Sequence, residues 1–202
     1  MIRRLLLLLP LLVGGCGGGL LAPSGPAPAI YRLQAPPEIS VPGPTVSWQL
    51  LVDKPTATLA LDTTRIAIEP APDRIDYYAD VAWGDDTPSV LQELILQSFD
   101  RSGRIQAVQR QGGGLQADYI LAVDLQDFET DAAASPASAH VRLTARLVRT
   151  RDRTIVASRA FDVSAPVGGG GFDAVIAGFN GALADLLPQL VGWTLSEGGR
   201  NP

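Results

Sequence analysis

The 202-residue sequence predicts an α+β fold, a two-layer α/β sandwich of a mostly antiparallel sheet with two amphipathic helices on one face. Three observations predict it. Residues 117–129, 140–149 and 154–163 each alternate apolar and polar side chains, as strands do when one face is buried and the other wet. Leu91, Leu94, Ile95, Ser98 and Phe99 recur at helical spacing, and so do Phe172, Val175, Ile176, Phe179, Leu183, Leu186, Leu187 and Leu190. The elements run strands, helix, strands, helix, and two amphipathic helices are the natural cover for a one-faced sheet.

Taken in chain order, residues 46–53 (Val-Ser-Trp-Gln-Leu-Leu-Val-Asp) read as the first strand and residues 65–68 as the second. Residues 75–83 read as a third, short and aromatic, carrying Tyr77, Tyr78 and Trp83. The period then changes. Thr87 reads as a helix N-cap with Pro88 at the first helical position. Asp85 and Asp86 precede it, where the positive end of the helix dipole favours negative charge. Gly103 reads as the C-cap. Residues 105–108 give another strand, and Gly112, Gly113 and Gly114 a loop. In the next two strands Tyr119, Leu121, Val123 and Leu125, then Val141, Leu143, Ala145 and Leu147, point inward, while His140, Arg142, Thr144 and Arg146 point outward. A turn at Arg151, Asp152 and Arg153 leads to a strand with Ile155, Ala157, Phe161 and Val163 on one face. A glycine joint at 168–171 precedes the last helix. Pro188 predicts a kink or an end to that helix, and residues 196–202 read as a flexible tail.

The N-terminus has the layout of a bacterial lipoprotein signal. Arg3 and Arg4 supply the basic start, residues 5–13 a short apolar core, and Gly14 and Gly15 the small residues before Cys16. The apolar run is roughly nine residues, well short of the ~20 that a membrane-spanning helix needs. Val13-Gly14-Gly15-Cys16 fits the lipobox of an aliphatic residue, two small residues and a cysteine, whose thiol would carry the lipid. Residues 1–15 are then a signal peptide, and residues 16–29 a lipidated Gly/Pro-rich tether that cannot bury enough apolar surface to fold. Residues 30–195 form the folded domain. Gly17 stands where an aspartate would favour inner-membrane retention, which points to a lipid-anchored, periplasm-facing place at the outer membrane. With Cys16 lipidated, no disulfide is available, and a chain of this length can build its core without one.

The formal net charge is −5, and −7 once Arg3 and Arg4 leave with the leader. Such an acidic domain is a poor nucleic-acid binder, since phosphate neutralisation dominates that affinity. His140 is the only histidine and reads as a solvated residue beside arginines. A zinc site would therefore need mostly carboxylates, an unusual ligand set. No Gly-x-Ser-x-Gly elbow is present, and the glycines at 168–171 lack the lysine of a phosphate loop. Asp85 and Asp86 read as helix-start acidity, and Asp118, Asp124 and Asp127 as the wet face of a strand. The expectation is a non-enzyme with no cofactor, no catalytic set and no metal site. Tyr77, Tyr78 and Trp83 are candidate partner contacts, with packing in the core as the plainer reading.

Residues 74–88, running Arg-Ile-Asp-Tyr-Tyr-Ala-Asp-Val-Ala-Trp-Gly-Asp-Asp-Thr-Pro and continuing into Leu91-Gln92-Glu93-Leu94, resemble the ABC-type transport auxiliary lipoproteins, the PqiC-like group. Tyr31-Arg32-Leu33 matches the Tyr-x-Leu near the start of those domains, and Tyr77-Tyr78 their Tyr-Tyr strand. Trp83 and Pro88 match the Trp and Pro that open their helix, one residue further apart than the commonest spacing. The resemblance implies a partner role beside a permease, an ATPase and an MCE-domain protein, in systems that move lipid between the two membranes of the Gram-negative envelope. It leaves homo-oligomer formation open. The competing expectation is a structural lipoprotein of outer-membrane assembly with no transporter.

Overall fold

The computed structural model describes residues 27–112 and 116–200. Nine strands and two helices follow in the order β1 (Ala29–Tyr31), β2 (Val46–Val52), β3 (Thr56–Ala57), β4 (Arg65–Ala71), β5 (Arg74–Trp83), α1 (Thr87–Ser102), β6 (Ile105–Arg110), β7 (Tyr119–Asp131), β8 (Ser138–Arg149), β9 (Thr154–Pro166) and α2 (Phe172–Arg200). The expected strands and both helices are present, and the short β1 and β3 are additions.

The sheet is open and mixed rather than mostly antiparallel. The long strand β7 is its spine. Along one edge it pairs antiparallel with β8 over its whole length, and β8 pairs antiparallel with β9. Its other edge takes three strands in succession, all parallel: β2 beside Tyr119–Leu121, β3 beside Asp124 and Leu125, and β4 beside Glu129–Asp131. Outside these, β6 and β1 add parallel strands to β2 and β5, while β4 and β5 form an antiparallel hairpin. Alternation told which side chains are buried but not which way a neighbour runs, because parallel and antiparallel ladders with one covered face share the same period of two.

The two helices cover different parts of this mixed sheet. Helix α2 lies chiefly over β8 and β9, α1 chiefly over β6, and the two touch each other. Ala174, Val175, Gly178, Phe179, Ala182, Leu183, Leu186, Leu187, Leu190, Val191, Thr194 and Leu195 form the buried stripe of α2. Although α2 is long and apolar enough to cross a bilayer by composition, half of its most apolar window is buried in the domain. At the centre of the core, Phe128 and Phe179 stack with centroids 5.0 Å apart, and Trp83 meets Phe179 edge-on at 5.5 Å.

Two helix-end expectations are corrected. Helix α2 does not end near Pro188 but runs to Arg200, so residues 196–200 are its last turns rather than a tail. A proline inside a helix costs about 3 kcal/mol. Leu190, Val191 and Leu195 beyond it are buried, at roughly 1.5–3 kcal/mol each, which outweighs the lost hydrogen bond. At the start of α1 the N-cap is Asp86, not Thr87. Asp86 is extended (φ −61°, ψ 149°) and its Oδ1 accepts from the Ser89 N–H at 2.9 Å. The Thr87 hydroxyl instead donates to the Thr63 carbonyl at 3.2 Å. Gly103 is the left-handed C-cap (φ 59°), as expected.

Candidate functional site

Cys16 and the rest of residues 1–26 lie outside the described residues, and the described chain enters the domain at its first strand. That strand is β1, which lies parallel to the end of β5 with Tyr31 beside Trp83. β5 carries the three aromatic candidates, and the structure sends them to three environments. Trp83 is 2 % exposed, inside the core with its ring edge-on to both members of the Phe128–Phe179 stack, and offers no surface to a partner. Tyr78 is half-buried against Phe172 at 5.0 Å, and Tyr31 meets the same ring at 4.6 Å. Tyr77 points elsewhere: its hydroxyl donates to the Ala60 carbonyl at 3.0 Å, and the Arg65 guanidinium sits 3.6 Å from its ring centroid. Between Tyr78 and Trp83 the strand bulges, shifting its register against β4, and Asp80 takes a left-handed φ of 58°. The bulge re-aims the side chains that follow it.

A cleft of about 480 Å³ opens beside this entry point, between residues 31–33, the turn at Gly84 and Asp85, and the exposed side of α1. Ser89, Val90 and Gln97 line it, together with the Glu93–Arg110 ion pair. The start of α1 is held firmly. Lys54 reaches both Asp86 (2.9 Å) and Asp62 (3.9 Å). Partial burial raises the Asp86 carboxyl, but the hydrogen bonds from Lys54 and Ser89 outweigh it and leave the group below the usual carboxylate range. Lys54 and Asp86 stand 32 residues apart, so no local motif marks the pair. At the other end of α1, Arg101 donates to the carbonyls of Ala35 and Pro36, and Arg104 to those of Val41 and Pro44. These two arginines fasten the proline-rich segment between β1 and β2 onto the domain.

The carboxylates read as a wet strand face have partners. Asp118 Oδ2 accepts the Gln49 N–H at 2.8 Å, Asp124 Oδ1 accepts from the Thr56 hydroxyl at 3.2 Å, and Asp127 pairs with Arg142. His140 faces outward as predicted but is not simply solvated: its Nε2 lies 2.9 Å from Asp162 Oδ1 and its Nδ1 3.9 Å from Glu129 Oε1. Glu129 is 4 % exposed, and its carboxyl is pushed up to about 7, chiefly by burial, against the hydrogen bond from the Phe128 N–H. Sequence reasoning missed Glu129. The only sign was a charge in Asp-Phe-Glu-Thr, where the alternation of β7 breaks at a register shift.

The described domain is a mixed α+β sheet with two covering helices, preceded in the sequence by the lipobox-like Val13-Gly14-Gly15-Cys16. The chain belongs to the ABC-type transport auxiliary lipoprotein component family, whose model matches residues 31–191. The crystal structure of XCC0632 from Xanthomonas campestris is similar, with 36 % identity, a TM-score of 0.81, and coverage of 86 % of this chain and 98 % of that one. A second solved structure, of an uncharacterized protein, shares the fold at a TM-score of 0.63 and 11 % identity, covering 83 % of this chain and 98 % of that one. The uncharacterized protein bll6063 of Bradyrhizobium diazoefficiens is 31 % identical over 174 residues, 85 % of this chain, and the chain spans 47 % of that relative's length.

Proposed function

We propose that this protein is a lipid-anchored, periplasm-facing docking component of an MCE-type ABC transporter, held at the outer membrane through Cys16 and non-catalytic. The observation that carries the reading is the family match over residues 31–191, which follows directly on a lipobox and a short tether. The domain contributes a surface rather than a reaction. The region beside β1 suits docking, because the cleft along α1 and the half-buried Tyr31, Tyr78 and Phe172 cluster lie where the tether enters. A transporter's MCE-domain protein meeting this region would be brought toward the membrane that holds the lipid.

In-cell photo-crosslinking from Arg32 and Asp85, both exposed at the cleft, tests the reading. Covalent capture of an MCE-domain protein is the expected result. Capture of barrel-assembly components alone would sink it and favour a structural assembly lipoprotein.

A further inference from the structure

A row of residues crosses the sheet in register, with Tyr77 beside Ala67, Ala67 beside Glu129, Glu129 beside His140 and His140 beside Ser164. Ala139 and Val141 are fully buried, so His140 between them faces away from the helices. Here two carboxylates and an imidazole converge: one ligand atom from each of Asp127, Glu129 and His140 lies within 4.8 Å of the other two. We infer that these three residues form a binding site for a divalent transition-metal ion of the zinc class, with Asp162 orienting the imidazole.

The Glu129 side chain is the first argument. It is buried, its Oε2 is held by the Phe128 N–H at 2.7 Å, and its Oε1 is aimed at His140 Nδ1. That gap is 3.9 Å, too long for a hydrogen bond. Zinc lies about 2.0–2.2 Å from imidazole nitrogen and carboxylate oxygen. At tetrahedral angles one ion holds two such atoms ~3.4 Å apart, so side-chain rotations that draw the three ligand atoms together by about an ångström would close the site around it. The second argument is the partner of the ring's other nitrogen. Metal-binding histidines commonly donate their remaining N–H to a carboxylate, and Asp162 Oδ1 stands 2.9 Å from Nε2. Access is the third. The side chains of His140 and Asp127 are 24 % and 21 % exposed, so an ion can enter from solvent and keep water in its open positions. Arg142 Nε donates to Oδ2 of Asp127. A donor set with imidazole favours zinc-like ions over magnesium or calcium, which prefer all-oxygen shells.

The test is calorimetric titration of Zn²⁺ into the purified, unlipidated full chain carrying Cys16→Ser and stripped with chelator, since an unlipidated thiolate at that position is itself a zinc ligand. One saturable equivalent is expected, with no comparable response to Mg²⁺. Glu129→Gln and His140→Ala should each weaken binding about tenfold or more, and Asp162→Asn, a positioning residue, by about tenfold. Zinc should raise the unfolding temperature of the natural sequence and not that of Glu129→Gln. Absence of saturable binding at about 1 mM Zn²⁺, an affinity floor worth ~4 kcal/mol, overturns the site. So does undiminished binding in Glu129→Gln, a variant whose fold gains from losing a buried charge.

Discussion

At the scale of single residues, Glu129 makes the domain's stability depend on pH. Its carboxyl titrates near 7 in the folded domain against an ordinary value of 4.5. The folded state therefore holds this proton more tightly than the unfolded state. The stabilisation is complete below pH 4.5 and is lost as pH rises through 7. The gap between those two values corresponds to ~3 kcal/mol as an upper figure. In chelator, Glu129→Gln should match the natural sequence in urea midpoint near pH 5 and exceed it at pH 8; an unchanged pH slope would show that Glu129 is not the group involved. Gly198 is a second sensitive position. A methyl group there would stand 2.4 Å from the Trp48 ring, while the Gly198 carbonyl accepts from the Tyr119 hydroxyl at 3.1 Å. Gly198→Ala should cost ~1–3 kcal/mol in denaturant unfolding by overpacking. The adjacent Gly199 has open space around it, and Gly199→Ala should be neutral or stabilise by ~0.5 kcal/mol at most.

At the scale of elements, α1 depends on its two ends. Asp86→Ala removes both the cap and the partner of Lys54, and should lower stability by ~1–2 kcal/mol. Thr87→Val, which keeps Asp86 in place, should leave the cap intact, and thermal unfolding of the pair distinguishes Asp86 from Thr87 as the cap. The helices were the most legible elements because their burial period is local: the apolar stripe of α2 can be followed residue by residue through Pro188. The sheet was legible in its inward faces and illegible in its pairing. β3 has two residues and β1 three, too few for any period to show, and their partners lie on β7 and β5, more than fifty residues away. The functional region shows the same division. Tyr78 and Trp83 are alike as aromatic residues in one segment, yet the bulge at Asp80 turns one toward Phe172 and the other into the core. Nothing local announced that bulge, because it depends on a non-glycine residue at positive φ. His140 read as solvated for a related reason: its neighbours Glu129 and Asp162 arrive from two different strands.

At the scale of the whole molecule, β7 pairs with β2, β3, β4 and β8 and so links the two halves of the sheet, and the domain should unfold as one unit. Phe128, on β7, packs against both Trp83 of β5 and Phe179 of α2. Phe128→Ala should cost ~3–5 kcal/mol and shift the near-ultraviolet and far-ultraviolet transitions together; separated transitions would mean that the β4–β5 hairpin folds apart from β7–β8–β9. For the anchor, Cys16→Ala should abolish incorporation of labelled palmitate in cells, and persistent labelling would mean that the lipid is attached elsewhere.

Attachment through Cys16, as proposed, would also set how the domain carries a mechanical load. With a lipid fixed at Cys16 and a partner pulling on the body, tension enters at Ala29 and meets the three-residue ladder to β5 first. Next in the load path is the segment clasped by Arg101 and Arg104, whose guanidinium groups grip backbone carbonyls that any sequence would present. The core behind them is reached last. Stretching the domain from its N-terminus should release β1 and then this clasp as a low-force step before the main rupture, lengthening the leash while the folded body stays whole.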